Sequence, residues 1–253
     1  MKIKYYLFPP AVAVAALVLA GCASGPQIHR GLTTTTPVTQ NRDHAIYDWP
    51  TRHAAVLDYN RTHQPEIVLI GDSICHYWGG EPVAPKAWAP DVWKRTFAGM
   101  SVENLGFGWD RTENVLWRID HGELNGISPK LIIIAIGTNN TGINNANDIA
   151  DGIEAVCVRA HEVQPHAKIL LLGILPRRDE VPPRPVITDQ VNQLLKTRLG
   201  KVSWIDYQDF GPAFRKPDGT VNATLFADGV HPNHTGYEIL GKLLREQIVQ
   251  VLK

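Results

Sequence analysis

Leu131-Ile132-Ile133-Ile134-Ala135-Ile136-Gly137-Thr138-Asn139-Asn140 is the stretch that decides the fold. Its first six residues are apolar on both faces of an extended chain. A strand can bury both faces only in the middle of a parallel sheet with helices packed above and below. Four further short runs fit neighbouring strands, at 66–70, 102–105, 168–173 and 202–205. Helical patterns lie between them. Ile149, Ile153, Val156, Ala160 and Val163 form one stripe at helical spacing, ended by Pro165. Ile187, Val191, Leu194, Leu195 and Leu199 form a second, closed by Gly200, and Tyr237, Leu240, Leu244, Ile248 and Val251 form the last. Asp110 and Glu113 have capping-box spacing and predict a helix opening there and running through Trp117. Strand–helix alternation predicts an α/β fold: a three-layer α/β/α sandwich around a central five-stranded parallel sheet, with right-handed crossovers.

Ligands of such sheets sit beyond the carboxyl ends of the strands. The residues just past each strand are therefore informative. After the first come Gly71-Asp72-Ser73, after the second Gly106-Phe107-Gly108-Trp109-Asp110, after the third Gly137-Thr138-Asn139-Asn140, and after the fourth Leu175-Pro176-Arg177. The chain beyond the fifth leads to Asp228-Gly229-Val230-His231-Pro232. A serine, a histidine and a carboxylate to orient it are the minimum set for acyl transfer through a serine ester. Ser73 is the expected nucleophile, His231 the base, and Asp228 the group that holds the imidazole tautomer. Gly229 and Pro232 suit the tight turn this needs. His76 competes for the role of base, because i to i+3 spacing on a helix puts it on the face of Ser73. His231 is preferred for its carboxylate three residues away. Asp72 is expected to hold the serine turn, and His234 to lie on the surface. The oxyanion formed during acyl transfer needs donors, and the Ser73 backbone N–H and the Asn139 side chain are in place.

Residues 1–21 pair a short basic start with an apolar run too short to span a membrane, the pattern of a signal peptide. Leu19-Ala20-Gly21-Cys22 resembles a bacterial lipobox, which would make Cys22 the lipidated first residue of a cell-envelope protein anchored to its membrane by lipid. Residues 22–45, with Gly25, Pro26, four consecutive threonines and Pro37, read as a flexible tether, and 46–253 as one domain. Lysine plus arginine equals aspartate plus glutamate at 25 each, and no basic run interleaves with aromatics, so nucleic acid is not expected as a partner. Cys75 and Cys157 are expected as buried free thiols. No CxxC or HExxH motif points to a metal, and Gly106-x-Gly108 lacks the third glycine of a dinucleotide fingerprint, so no cofactor is expected.

The four blocks, Gly-Asp-Ser73, Gly108-Trp109-Asp110, Gly-Thr-Asn139-Asn140 and Asp228-x-x-His231, resemble those of the SGNH (GDSL-type) hydrolase superfamily. The likeness extends from about residue 66 to 252. Asn104-Leu-Gly-Phe-Gly, Val115-Leu-Trp-Arg118, Gly122-Glu-Leu, Pro129-Lys130 and Leu175-Pro-Arg177 are similar to the catalytic subunits of intracellular platelet-activating-factor acetylhydrolases. The resemblance implies a flavodoxin-like sandwich, a short acyl group, and Ser73, His231, Asp228 and Asn139 as site residues. It also implies that the usual oxyanion glycine falls on Trp109. A backbone N–H survives that change, but tryptophan resists positive φ, so ordinary dihedrals or a turn taken up by Gly108 are expected. Gly108, the Trp109 ring, Asn140 and Arg177 are the expected pocket residues. Trp78, Trp88, Trp93 and Trp109 all lie near this edge and suit sugar rings, acyl chains or core packing. The expected partner is a small acylated molecule, an O-acetylated carbohydrate or else a lipid ester. A glycan O-acetyltransferase and a non-catalytic glycan-binding lipoprotein are the rival readings, and a homodimer is left open.

Overall fold

The computed structural model describes residues 30–177 and 184–253. The expected signal peptide and the expected lipidation site at Cys22 lie outside the described residues. The elements run α1 (Arg30–Thr35), α2 (Trp49–Asn60), β1 (Ile67–Gly71), α3 (Ser73–His76), α4 (Pro90–Thr96), β2 (Val102–Gly106), α5 (Thr112–Asp120), β3 (Leu131–Ala135), α6 (Ala146–Val163), β4 (Lys168–Leu172), α7 (Arg184–Leu199), β5 (Ile205–Gln208) and α8 (His234–Val251). The five strands form one parallel sheet in the order β2-β1-β3-β4-β5.

The sheet divides the core in two. Val68, Ile70, Ile132, Ile134, Ile169 and Leu171 face α2, α5, α6 and α7. Their alternates Ile67, Leu69, Leu131, Ile133, Leu170 and Leu172 face α4 and α8. Period-two alternation with apolar residues on both sides is what the Leu131 run requires. Chain order reverses around β1: β2 leaves on one side and β3 on the other. Helices diverge at such a switch and leave a crevice beyond the strand ends. Ser73, the 106–111 loop and Thr138–Asn140 all open from it. Gly71 is needed there, because a Cβ would stand 2.3 Å from Cys75 Sγ and 2.7 Å from the Ala135 carbonyl.

Three expectations about elements change. The fifth strand is Ile205–Gln208, not 202–205, because the Val202 and Ile205 N–H groups donate to Leu199 and Val202 carbonyls in a turn that precedes the ladder. Helix α5 starts at Thr112 after Arg111, whose N–H donates to Asn114 Oδ1 at 2.9 Å. Asp110 is therefore no cap, and its carboxylate is committed elsewhere. The second half of the expected tether is docked on the domain. Thr34 is fully buried, donates to the Asp148 carbonyl at 2.7 Å and accepts the Thr112 hydroxyl at 2.8 Å. Gln40 and Asp43 are also buried. A polar segment can be ordered this way because its donors and acceptors find buried partners rather than because it buries apolar area.

Candidate active site

Ser73 is the first residue of α3, a single helical turn directly after β1. Asp72 caps that turn by accepting the Ile74 N–H at 2.9 Å, as expected of it. Burial pushes the Asp72 carboxyl up to about 7. The last helix steadies the same turn, because Tyr237 donates to the Ile74 carbonyl at 2.8 Å, and Asn104 donates to the Cys75 carbonyl at 2.8 Å.

The distant end of the chain meets this turn. His231 Nε2 lies 2.8 Å from Ser73 Oγ, across 158 residues of sequence. Its Nδ1 lies 2.8 Å from Asp228 Oδ2. An ionised carboxylate only accepts, so Nδ1 carries the proton and Nε2 presents a lone pair to the serine hydroxyl. Asp228 Oδ1 meanwhile accepts the Val230 N–H at 2.7 Å and the His231 N–H at 2.8 Å. Partial burial pushes the Asp228 carboxyl up. Those N–H groups and the imidazole outweigh it and hold the carboxyl below its usual range, hence ionised at neutral pH. Asn233, two residues on, caps α8 by accepting the Gly236 N–H at 3.1 Å. The histidine turn is thus anchored to the longest helix of that face, and such a cap contributes about 1 kcal/mol. Trp88 closes the far side, its ring edge-to-face with His231 at 4.7 Å between centroids.

His76 does not reach Ser73. It is buried, and its Nδ1 accepts the Gly108 N–H at 3.1 Å. Burial, with Arg52 and Arg118 nearby, pushes its imidazole down to about 2, so it stays neutral and serves as an acceptor. His234 is exposed and pairs with Asp91 at 3.0 Å.

The 106–111 loop lines the other side of the crevice. Trp109 has φ +62°, a left-handed backbone that no other non-glycine among the described residues adopts. Both expectations, ordinary dihedrals at Trp109 or a turn taken up by Gly108, are corrected. Such a conformation costs an L-residue about 1–2 kcal/mol and persists only where surroundings over-determine it. The Trp109 side chain is 50% exposed. Asn139 stands on the one-turn helix Thr138–Asn140 after β3 and donates through Nδ2 to the Asp110 carbonyl at 2.9 Å. The second N–H of that amide remains available for another acceptor.

Two expected pocket residues serve the scaffold instead. Gly108 is buried, and a Cβ there would stand 2.5 Å from Asp43 Oδ2 and 2.6 Å from the Tyr77 hydroxyl. Asn140 is buried too, and its amide is used up by Thr112 N–H, Glu113 and Asn144. Arg177 is half-buried and donates to the Thr138 carbonyl at 3.0 Å, beside the crevice. Of the four tryptophans near this edge, Trp78 and Trp93 belong to the core, Trp88 packs on His231, and Trp109 is half exposed. Cys75 and Cys157 are buried free thiols.

Sequence reading missed the support behind the loop. Arg118 is fully buried, donates to Asp110 Oδ2 at 2.8 Å, pairs with Glu123 and lies over the Phe107 ring at 4.0 Å. Burial would lower its guanidinium pKa, but Glu123 and Asp110 outweigh that and raise it. His53 reaches the other Glu123 oxygen at 2.8 Å. The one signal in the sequence was a charge among Val115, Leu116 and Ile119 on an otherwise apolar helix face.

The model of the GDSL-like lipase/acylhydrolase family matches residues 69–239. The alpha2 subunit of platelet-activating factor acetylhydrolase IB from Homo sapiens is 33% identical over 205 residues, 81% of this chain and 85% of that protein. A GDSL-like lipase from Bacteroides thetaiotaomicron superposes with a TM-score of 0.58 at 21% identity, covering 78% of this chain and 98% of the other. A variant of an acetyl-xylooligosaccharide esterase from Geobacillus Stearmophilus superposes with a TM-score of 0.58 at 16% identity, covering 73% and 94%.

Proposed function

The chain belongs to the GDSL-like lipase/acylhydrolase family and is a carboxylic ester hydrolase, and we propose that it removes O-acetyl groups from carbohydrate through Ser73, His231 and Asp228. One observation carries the mechanism: the unbroken chain from Asp228 through His231 to Ser73, each contact 2.8 Å. The Ser73 hydroxyl attacks the ester carbonyl and its proton passes to His231 Nε2. Asp228 stabilises the imidazolium without taking its proton. The carbonyl oxygen becomes an oxyanion, held by the backbone N–H groups of Ser73 and Trp109 and the free N–H of Asn139. Collapse breaks the bond to the leaving alcohol, which takes the proton from His231. Water then attacks the acyl-serine by the reverse assignment, releasing the acid and restoring the hydroxyl.

Two features support an acetylated sugar. The exposed Trp109 ring, on the loop that carries the expected oxyanion donor, offers an apolar face of the kind that stacks on a sugar. Two of the similar proteins, by their names, act on acetyl esters. A specific observation favours the second reading, a lipid esterase. A mostly apolar cavity of about 40 Å³ beside the serine turn is lined by Asp72, Ile74, Trp78, Leu172, Leu240 and Leu244. Initial rates on p-nitrophenyl acetate, butyrate and octanoate, beside acetylated xylan, separate the two. The carbohydrate reading expects the highest kcat/KM on acetyl esters and acetate release from xylan. A maximum at octanoate with none released from xylan would overturn it. Lipidation at Cys22 would hold the enzyme at the cell envelope, and labelled palmitate incorporation lost in Cys22→Ala tests that.

A further inference from the structure

Gly108, Trp109 and Asp110 are gripped by side chains that precede the first strand. The Gly108 carbonyl accepts from Gln40 Nε2 at 3.0 Å and from the Tyr47 hydroxyl at 2.8 Å. The Asp110 carboxylate accepts from Gln40 at 3.0 Å and from Trp49 Nε1 at 2.8 Å. Trp109 is held by a single guanidinium, since its carbonyl accepts Arg42 Nη2 at 3.0 Å and Nε at 3.3 Å. Arg42 is itself tethered, because Nη2 also donates to Asn114 Oδ1. Asn114 in turn accepts the Arg111 N–H at 2.9 Å and donates to the Val38 carbonyl at 2.9 Å.

The geometry of the peptide unit gives these contacts a consequence. The Gly108 carbonyl and the Trp109 N–H share one plane and point in opposite directions. Gln40 and Tyr47, by fixing that carbonyl, fix where the N–H aims. The Trp109 carbonyl lies in the next plane, which Arg42 fixes. With both planes set, φ and ψ at Trp109 are set too, in the left-handed region that glycine adopts freely and tryptophan does not. Gln40 and Tyr47 hold a carbonyl any residue at 109 would leave in place, whereas Arg42 acts on the strained residue itself.

We propose that Arg42 is a positioning residue for the oxyanion hole: it holds Trp109 in a left-handed conformation and so keeps the Trp109 N–H aimed at the developing oxyanion. The proposal rests on the reading of that N–H as an oxyanion donor. The Arg42 guanidinium donates to the Trp109 carbonyl and to Asn114, and Ser73 is not among its partners. It stands in for the conformational freedom that a glycine at 109 would supply.

The test is a double-mutant cycle between Arg42→Ala and Trp109→Gly, read as kcat and KM on p-nitrophenyl acetate. Arg42→Ala should lower kcat about tenfold with KM within about twofold, as loss of an oxyanion donor's alignment requires. Arg42→Lys, which keeps one donor and serves also if the alanine variant fails to fold, should regain most of that kcat. In the Trp109→Gly background, Arg42→Ala should change kcat less than about threefold, because glycine needs no restraint. Equal loss in both backgrounds, loss confined to KM, or an unchanged kcat would each overturn the proposal. Asn139→Ala is measured alongside. If it loses kcat while Arg42→Ala does not, the positioning role alone falls. If Asn139→Ala keeps full kcat, the oxyanion-hole reading falls and takes the proposal with it.

Discussion

Asp228 and His231 stand three residues apart on one turn, with the Asp228 side chain half exposed. Their bonds are to each other, to their own backbone and to Ser73. Gly108, Trp109 and Asp110, on the other side of the crevice, take nearly every contact from somewhere else. Gln40, Arg42, Tyr47 and Trp49 grip them from the chain's beginning, His76 from α3, Arg118 from α5 and Asn139 from beyond β3. One side is assembled locally, the other by tertiary structure. The difference comes from chemistry. A base needs one carboxylate at one ring nitrogen, which a tight turn supplies. An oxyanion donor must be aimed before charge develops, and aiming a backbone N–H requires fixing the peptide planes around it.

The largest expected loss lies on the local side. Ser73→Ala and His231→Ala should each lower kcat on p-nitrophenyl acetate by about 10⁴-fold or more while thermal unfolding stays close to native, since a triad acts as a unit. Near-normal turnover in either variant would move the chemistry elsewhere. The tertiary side should fail through stability. Arg118→Met leaves Asp110 and Glu123 buried without their shared cation, and should cost about 3–5 kcal/mol in urea unfolding. A cost below about 1 kcal/mol would mean the ion network does not support the loop. Asn139→Ala comes next, with a loss in kcat of ~10²–10³-fold and little change in KM. A raised KM at normal kcat would make Asn139 a binding residue.

The legible part of this molecule is the part written in neighbouring residues. Leu131–Ala135 announces a central strand by being apolar on both faces, and Asp228-x-x-His231 announces an oriented imidazole by spacing alone. Asn140 and Gly108 read as pocket residues because they stand next to site residues in sequence, yet both are buried in the scaffold. Only the partners they find in the fold separate Asn139 from Asn140. β5 leaves little trace in the sequence, because Ile-Asp-Tyr-Gln is an edge strand with no apolar run to mark it. The grip of Arg42 on Trp109 spans 67 residues and leaves no periodicity behind. The four threonines and Pro37 read as a tether for the same reason, since nothing near them in sequence says what they dock on.

A smaller effect belongs to the buried charges of the tertiary side. Glu103 is buried on β2, and desolvation, reinforced by Glu123, pushes its carboxyl up to about 8. Its folded pKa therefore exceeds the unfolded value of ~4.3. Between the two values the unfolded chain has lost a proton that the folded chain keeps, so stability falls as pH rises and levels off above about 8. The Tm advantage of Glu103→Gln over the native chain should grow from mildly acidic pH to pH about 8 and then flatten. An advantage independent of pH would show that Glu103 is not held protonated by burial.

Everything on the local side depends on Ser73 being made nucleophilic by His231 and not by the histidine nearer in sequence. A fluorophosphonate probe followed by peptide mass mapping tests this directly. A single adduct is expected, on Ser73, formed at near-native rate in His76→Asn, whose amide oxygen can still accept the Gly108 N–H. In His231→Ala the adduct should be all but absent. Undiminished labelling of Ser73 in His231→Ala, or an adduct on any other residue, would contradict the assignment of His231 as the base.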